Sequence, residues 1–298
     1  MIQPEGHKNI IKTLEKIVRS KKIPHSFIFS GIEGIGKKLT ALYFAKMLNC
    51  ESSSNTPCNE CSHCKKIDKY IHPDILLLST EKKQITLDMI RDIISFSVTN
   101  PFEGKYKIVI IDDAHKLNPF ASNALLKTIE EPLTSTIFIL ITHSINRLLS
   151  TIQSRCVKIN FSPLDDKMMI RILTNMGYEK EKIEDVIPYC SGSIMQATKL
   201  LDEAIYTDIS SIKEFLEHIE TKSFFEISCF CEDISKKNRE ELLFSIMIKK
   251  YFLQIINDPT NPFSGLNKYQ KTINFYKNMR YNISKTFLLE AMFLTLQK

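Results

Sequence analysis

The chain has no tryptophan and only 8 glycines in 298 residues. So little glycine, in a sequence without internal repeats or low-complexity tracts, excludes collagen-like and flexible-linker architectures. Long apolar runs are missing too. Nothing approaches the ~20 residues that a bilayer-spanning helix needs. Residues 1–18 lack the uncharged core of a secretory signal, because Glu5, Lys8, Lys12, Glu15 and Lys16 interrupt the apolar positions. A cytoplasmic protein is the expectation. Strong charge of one sign is also absent: the net charge is +6, and the lysine pairs Lys21-Lys22, Lys65-Lys66, Lys82-Lys83, Lys236-Lys237 and Lys249-Lys250 are dispersed. They read either as solvated surface or as a weak attraction to phosphate backbones through counterion release. Charge alone does not choose between the two.

What the chain does hold is an ordinary globular composition, 43% apolar and 25% charged. Its length suits about two domains, or an α/β core with a helical region. Apolar runs without alternation at 27–30, 75–78, 107–111, 136–141 and 156–161 predict strands covered on both faces. Helical stretches between them predict a parallel α/β sheet. Pro163 disfavours helix at Ser162 and marks a boundary. Helices are expected over 165–175 and 193–201, in a small lid-like segment. From residue 208 onward the strand signals vanish. Ile212, Phe215, Leu216 and Ile219 line one helical face, and Leu242, Leu243, Ile246 and Met247 repeat the pattern. The expected division is 1–162, 163–207 and 208–298.

Three glycines fall in Ser30-Gly31-Ile32-Glu33-Gly34-Ile35-Gly36-Lys37-Lys38, between an expected strand and an expected helix, where a phosphate-binding loop must lie. Gly31, Gly34 and Gly36 would let the backbone turn with positive φ and bring its N–H groups to phosphate oxygens. Lys37 would meet the β and γ phosphates. The pattern G-x-x-x-x-G-K-[ST] ends on a hydroxyl that coordinates magnesium, and here that position is Lys38. An ammonium has no lone pair to offer a cation. The loop therefore reads as one able to hold ATP or ADP yet unsuited to metal-assisted hydrolysis, or else as a plain glycine turn. The run from Lys107 to His115 ends an apolar strand in Asp112 and Asp113, the shape of a Walker B strand. Asp112 would help hold a metal. Asp113 stands where a water-polarising glutamate is usual; being one methylene shorter, it sets its carboxylate roughly 1.5 Å back, and such a misplacement costs about a hundredfold in rate.

Cys50, Cys58, Cys61 and Cys64 bring four thiols close together in sequence. In a reducing compartment disulfides are not expected. Four thiolates suit a closed, structural zinc site, whose negative charge Lys65 and Lys66 would partly offset. An iron-sulfur cluster is the other candidate, but the fourth ligand and proline of the ferredoxin run are missing downstream. His63 and His72, the latter just before Pro73, read as surface or turn residues. Cys190, Cys229 and Cys231 read as buried small apolar residues.

The block Asn123-Ala124-Leu125-Leu126-Lys127-Thr128-Ile129-Glu130-Glu131-Pro132, followed by Ser154-Arg155-Cys156, resembles the clamp-loader subunits of bacterial DNA polymerase III, which are AAA+ proteins. Pro24-His25-Ser26-Phe27 and the cysteine group are similar to the same family. The resemblance runs from Pro24 to about Gly192. It implies an AAA+ P-loop type parallel sheet core with an inserted zinc module, a small helical lid domain and a C-terminal all-helical collar used for pentamer assembly. It also implies that Arg155 is an arginine finger reaching ATP on the adjacent subunit, work that an always-charged guanidinium suits. The family's first sensor falls on Thr142 or His143. The second, an arginine in active loaders, falls on Met195. Lys38, Asp113 and Met195 each weaken the chain's own nucleotide site, whereas Arg155 is intact. That combination is expected of the family's delta-prime type, a stator that does not hydrolyse ATP. Its implied partners are the gamma or tau ATPase and the delta subunit in a hetero-pentamer, with the sliding clamp and primer-template DNA reached through the complex. The rival expectation is an active AAA+ ATPase, a hydrolysing loader subunit or a DNA branch-migration motor, in which Lys37, Asp112 and Asp113 carry the reaction.

Overall fold

Apolar side chains on both faces of a strand require cover on both sides, and that requirement builds the first part of the chain. In a computed structural model the strands are β1 (Ser26–Ser30), β2 (Ile75–Leu78), β3 (Lys107–Ile111), β4 (Thr136–Thr142) and β5 (Val157–Asn160). They pair in parallel, in the order β2-β3-β4-β1-β5. The expected runs and the observed strands coincide to within a residue at each end. Residues of alternate parity face opposite sides. Phe27, Phe29, Ile108, Ile110, Ile137 and Ile139 pack with Leu14 of α1 (Lys8–Ser20) and Phe44 and Leu48 of α2 (Lys37–Asn49). Ile28, Val109, Ile111, Phe138 and Leu140 pack on the other face with Ile90 and Ile93 of α4 (Leu87–Ser97), Leu125 and Ile129 of α5 (Pro119–Glu130) and Ile152 of α6 (Ser150–Arg155). Between α2 and β2 lies the short α3 (Ser62–Asp68).

The structure describes the chain except residues 1–3, 53–55, 132–134, 258–261, 280, 282–283 and 298. Pro132 of the Glu-Glu-Pro run thus lies outside the described residues. The chain divides into two compact units, Met1–Met176 with Ser191–Gln196, and Gly177–Cys190 with Ala197–Lys298. The first unit ends its continuous part with α7 (Asp166–Asn175), whose N-cap Asp165 accepts a hydrogen bond from Met168 N–H. The second holds α8 (Lys180–Val186), α10 (Glu203–Glu217), α11 (Phe224–Lys236), α12 (Glu240–Asn257), α13 (Pro262–Asn278) and α14 (Lys285–Leu296); α9 (Ile194–Leu200) begins in the first unit. As the periodicity predicts, Ile212, Leu216 and Ile219 are buried, and so are Leu243, Ile246 and Met247. Phe215 stacks flat on Phe230 of α11 with centroids 3.7 Å apart. Among the described residues, no helix is long and apolar enough to cross a membrane.

Candidate functional site

Because parallel strands all point one way, the segments that follow β1, β3 and β4 gather along one edge of the sheet, where ligands of open α/β sheets bind. Gly31 to Gly36 follow β1, Asp112 and Asp113 follow β3, and Thr142 and His143 close β4. The loop is tightly held. Gly31 N–H donates to Thr142 O (3.2 Å). Ser193 Oγ donates to Glu33 O (2.8 Å), and Ile194 N–H to Gly34 O (3.0 Å). Gly34 has φ +76°, and a Cβ there would lie 2.4 Å from Ser193 Oγ and Met195 Cβ. Only glycine fits that close approach. These contacts bring Met195 beside the loop, where it is 48% exposed.

The cations of the loop are both held by groups of the chain itself. Lys37 is buried, and its Nζ donates to the carbonyls of Gly31 (2.7 Å) and Ile32 (2.5 Å). Burial pushes this ammonium below its ordinary pKa, against the pull of Asp112, Glu33 and Asp113. Lys38 Nζ lies 3.3 Å from Asp112 Oδ2. Asp113 adopts the left-handed region at φ +54°, and its Oδ2 is held by Lys116 Nζ at 2.8 Å. One oxygen of each carboxylate that could serve a metal is therefore engaged by a lysine of the same chain. Thr142 is buried with its Oγ1 accepting Ser144 N–H at 3.0 Å, whereas His143 is exposed. The Lys116 pairing was legible only as an i, i+3 spacing on a short helical turn.

Arg155 sits at the other end of β1. Ser26 Oγ donates to Arg155 O (2.9 Å), tying the end of α6 to the first residue of the strand whose last residue precedes the phosphate loop. Four residue steps at ~3.3 Å separate the two ends by about 13 Å. Arg155 Nε pairs with Glu130 Oε1 at 2.8 Å, both side chains more than a third exposed, and one terminal nitrogen donates to Thr151 O at 3.1 Å. Glu130 had no assigned role in the sequence, since nothing in its spacing points to Arg155.

The Sγ atoms of Cys50, Cys58, Cys61 and Cys64 lie within 4.8 Å of one another. Backbone N–H groups of Cys58, Cys61 and Cys64 donate to the sulfurs of Cys50 (3.4 Å), Cys58 (3.3 Å) and Cys61 (3.4 Å). Such donors favour thiolates: the backbone N–H groups of Glu60 and Cys61 pull Cys58 down to about 6. Burial pushes the Cys64 thiol up. The donor set fits a tetrahedral thiolate site, in which Zn–S bonds of about 2.3 Å set sulfurs roughly 3.8 Å apart. Beneath it the fully buried Lys46 joins Asp68 Oδ1 (2.5 Å) and Asn59 Oδ1 (3.1 Å), pinning the segment to α2.

Two readings of single residues are corrected. His72 leads into a turn at residues 73–74 but is buried rather than superficial: its Nε2 lies 3.6 Å from Glu103 Oε1, and the adjacent Asp74 carboxylate accepts the backbone N–H groups of Phe102, Glu103 and Gly104 (2.6, 2.9 and 2.7 Å). Cys229 is exposed on α11, whereas Cys190 and Cys231 are buried.

Residues 6–165 match the family described as "DNA polymerase III, delta subunit". Over 281 residues the chain is 31% identical to DNA polymerase III subunit tau of Bacillus subtilis, covering 91% of this chain and 49% of that one. It is 32% identical to subunit delta' of Bacillus subtilis over 70% of this chain and 60% of that one. The match to subunit delta' of Pseudomonas aeruginosa is also 32%, over 64% and 60%. The chain thus spans between about half and three fifths of these relatives' lengths. With the family's match covering more than half of the chain and the parallel sheet and phosphate-loop arrangement in place, this protein belongs to the DNA polymerase III delta-subunit family of AAA+ clamp-loader proteins.

Proposed function

We propose that the chain is a loader subunit of the delta-prime type, a stator that does not hydrolyse ATP itself and lends Arg155 to the ATP site of a neighbouring subunit. The observation that carries this reading is the Lys38–Asp112 ion pair. Magnesium requires oxygen ligands in near-octahedral order at about 2.0–2.1 Å. Here the hydroxyl is replaced by an ammonium that already neutralises Asp112. Asp113 and Met195 add a short carboxylate and a missing cation at the same edge. ATP or ADP remains a ligand the loop can hold, once Lys37 exchanges two carbonyl acceptors for phosphate oxygens. Thr142 or His143 would stand as the first sensor.

Arg155 suits work on another subunit because its backbone is tied to the end of β1 remote from the loop. A guanidinium can spread charge over phosphate oxygens as it moves in the transition state. The reading carries with it a gamma or tau ATPase and a delta subunit as partners in a hetero-pentamer. The helical second unit would serve as collar, within the division 1–162, 163–207 and 208–298. The sliding clamp and primer-template DNA would be met through the complex, in the cytoplasm. Cys50, Cys58, Cys61 and Cys64 would hold a structural zinc ion, which supplies cross-linking rather than chemistry.

The rival, a hydrolysing subunit, draws support from the 91% of the chain matched by the tau relative. Reconstituting the loader with Arg155→Ala separates the two. The stator reading expects the loss of one neighbour's contribution to ATP turnover, on the scale of about a thousandfold at that site. Unchanged turnover by the assembly would overturn it.

A further inference from the structure

His115 has no part in the reading above, yet it lies against two side chains that do, Asp113 and His143. One ring nitrogen each of His115 and His143 and a carboxylate oxygen of Asp113 lie within 4.8 Å of one another. The imidazole rings have centroids 3.8 Å apart, inclined at 55°. His115 Nδ1 is buried and has no hydrogen-bond partner. A buried polar atom left unpaired costs free energy, and such atoms usually mark a missing water or ion. His143 is exposed, so the cluster opens to solvent on that side.

We infer that Asp113, His115 and His143 form a second metal site, for a divalent transition ion of the zinc, cobalt or nickel class. Two imidazoles and one carboxylate with open positions are a ligand set those ions accept. Magnesium, which demands oxygen, is excluded by the two nitrogens. Zn–N and Zn–O bonds of about 2.0–2.1 Å set neighbouring ligand atoms roughly 3.3 Å apart, within reach of small torsional changes. Lys116 occupies Oδ2 of Asp113, and a carboxylate has two oxygens. Burial, with His143 beside it, also holds His115 below its ordinary pKa, which favours the neutral ring that binds metal.

A second cluster with the same donor types, His63, His72 and Glu103, is a poorer candidate. His72 Nδ1 accepts the backbone N–H of Asp74 (3.1 Å), so the neutral ring carries its proton on Nε2, and that nitrogen is already 2.8 Å from His63 Nδ1. This is a hydrogen-bonded pair whose metal-facing nitrogen is protonated.

Cobalt(II) titration of the metal-free full chain, followed by absorption, tests the inference. Wild type is expected to bind one equivalent without thiolate charge-transfer bands, besides any equivalent that shows them. His143→Asn and the pair His115→Ala/His143→Ala should each lose that thiolate-free equivalent and keep the thiolate-banded one, while His63→Ala loses neither. Because His143 is exposed, His143→Asn keeps the fold and the test intact. The same thiolate-free stoichiometry in wild type and His143→Asn, or its loss in His63→Ala instead, would overturn the assignment. Absence of the thiolate bands in every protein would count against the four-cysteine site and leave this result readable.

Discussion

Lys38 Nζ stands 3.3 Å from Asp112 Oδ2, so the positive charge at the end of β3 comes from the chain itself. A magnesium ion entering there would meet an ammonium where it needs a hydroxyl. Replacing Lys38 by threonine restores that ligand and frees Asp112. The expected outcome is nucleotide binding that tightens by about tenfold or more with magnesium, equivalent to ~1.4 kcal/mol or more. Wild type should show no such dependence. A fluorescent ATP analogue titrated with and without magnesium reads the difference.

Arg155→Ala should leave the isolated fold almost untouched. Its partner Glu130 is 37% exposed and Arg155 itself 42%, and such surface pairs contribute less than about 1 kcal/mol. The backbone tie from Ser26 Oγ survives, because it uses the carbonyl of residue 155. Thermal unfolding is the check: a midpoint within a few degrees of wild type makes any loss of assembled activity a matter of chemistry. A large drop would mean the side chain holds α6 in place.

Gly34→Ala tests the packing of the loop. Its φ of +76° and the 2.4 Å approach of Ser193 Oγ and Met195 Cβ leave no room for a methyl group. Both penalties act together, since strain at positive φ alone costs of order 1–3 kcal/mol. The variant should unfold at a lower denaturant midpoint with the same slope, and should bind nucleotide more weakly. An unchanged midpoint would show that α9 does not press on the loop.

The strands were legible because a buried parallel sheet must be apolar at every position, and runs such as 107–111 admit no other cover. The phosphate loop was legible for a related reason: its glycines serve a backbone path that other residues cannot follow. Pairings between distant elements were not. Lys38 finds Asp112, and Arg155 finds Glu130, through the order of strands and the placing of α5 beside α6, which no local pattern encodes. At His72 the turn was legible from Pro73 but the burial was not, because it depends on the distant segment 102–104 that the Asp74 carboxylate holds and from which Glu103 reaches His72.

Acid should weaken the second unit through Glu226. At the start of α11, Ser223 Oγ accepts Glu226 N–H, while the Glu226 carboxylate accepts Ser223 N–H (2.8 Å) and pairs with Lys222 (2.9 Å). The Ser223 N–H, with Lys222, holds the carboxyl down to about 2, against 4.5 for a free glutamate. A folded pKa below the unfolded value means the contribution is complete above about 4.5 and is lost as pH falls toward 2. The thermal advantage of wild type over Glu226→Gln should therefore shrink across that window and stay constant above it. An advantage that grows on acidification would contradict the capping assignment.

The most direct test is phosphate release by the purified chain with ATP and magnesium, in the presence and absence of primer-template DNA. With Lys38 on Asp112 and Lys116 on Asp113, the account predicts turnover no faster than buffer alone and no change in Lys37→Ala. Magnesium-dependent hydrolysis that vanishes in Lys37→Ala would contradict it.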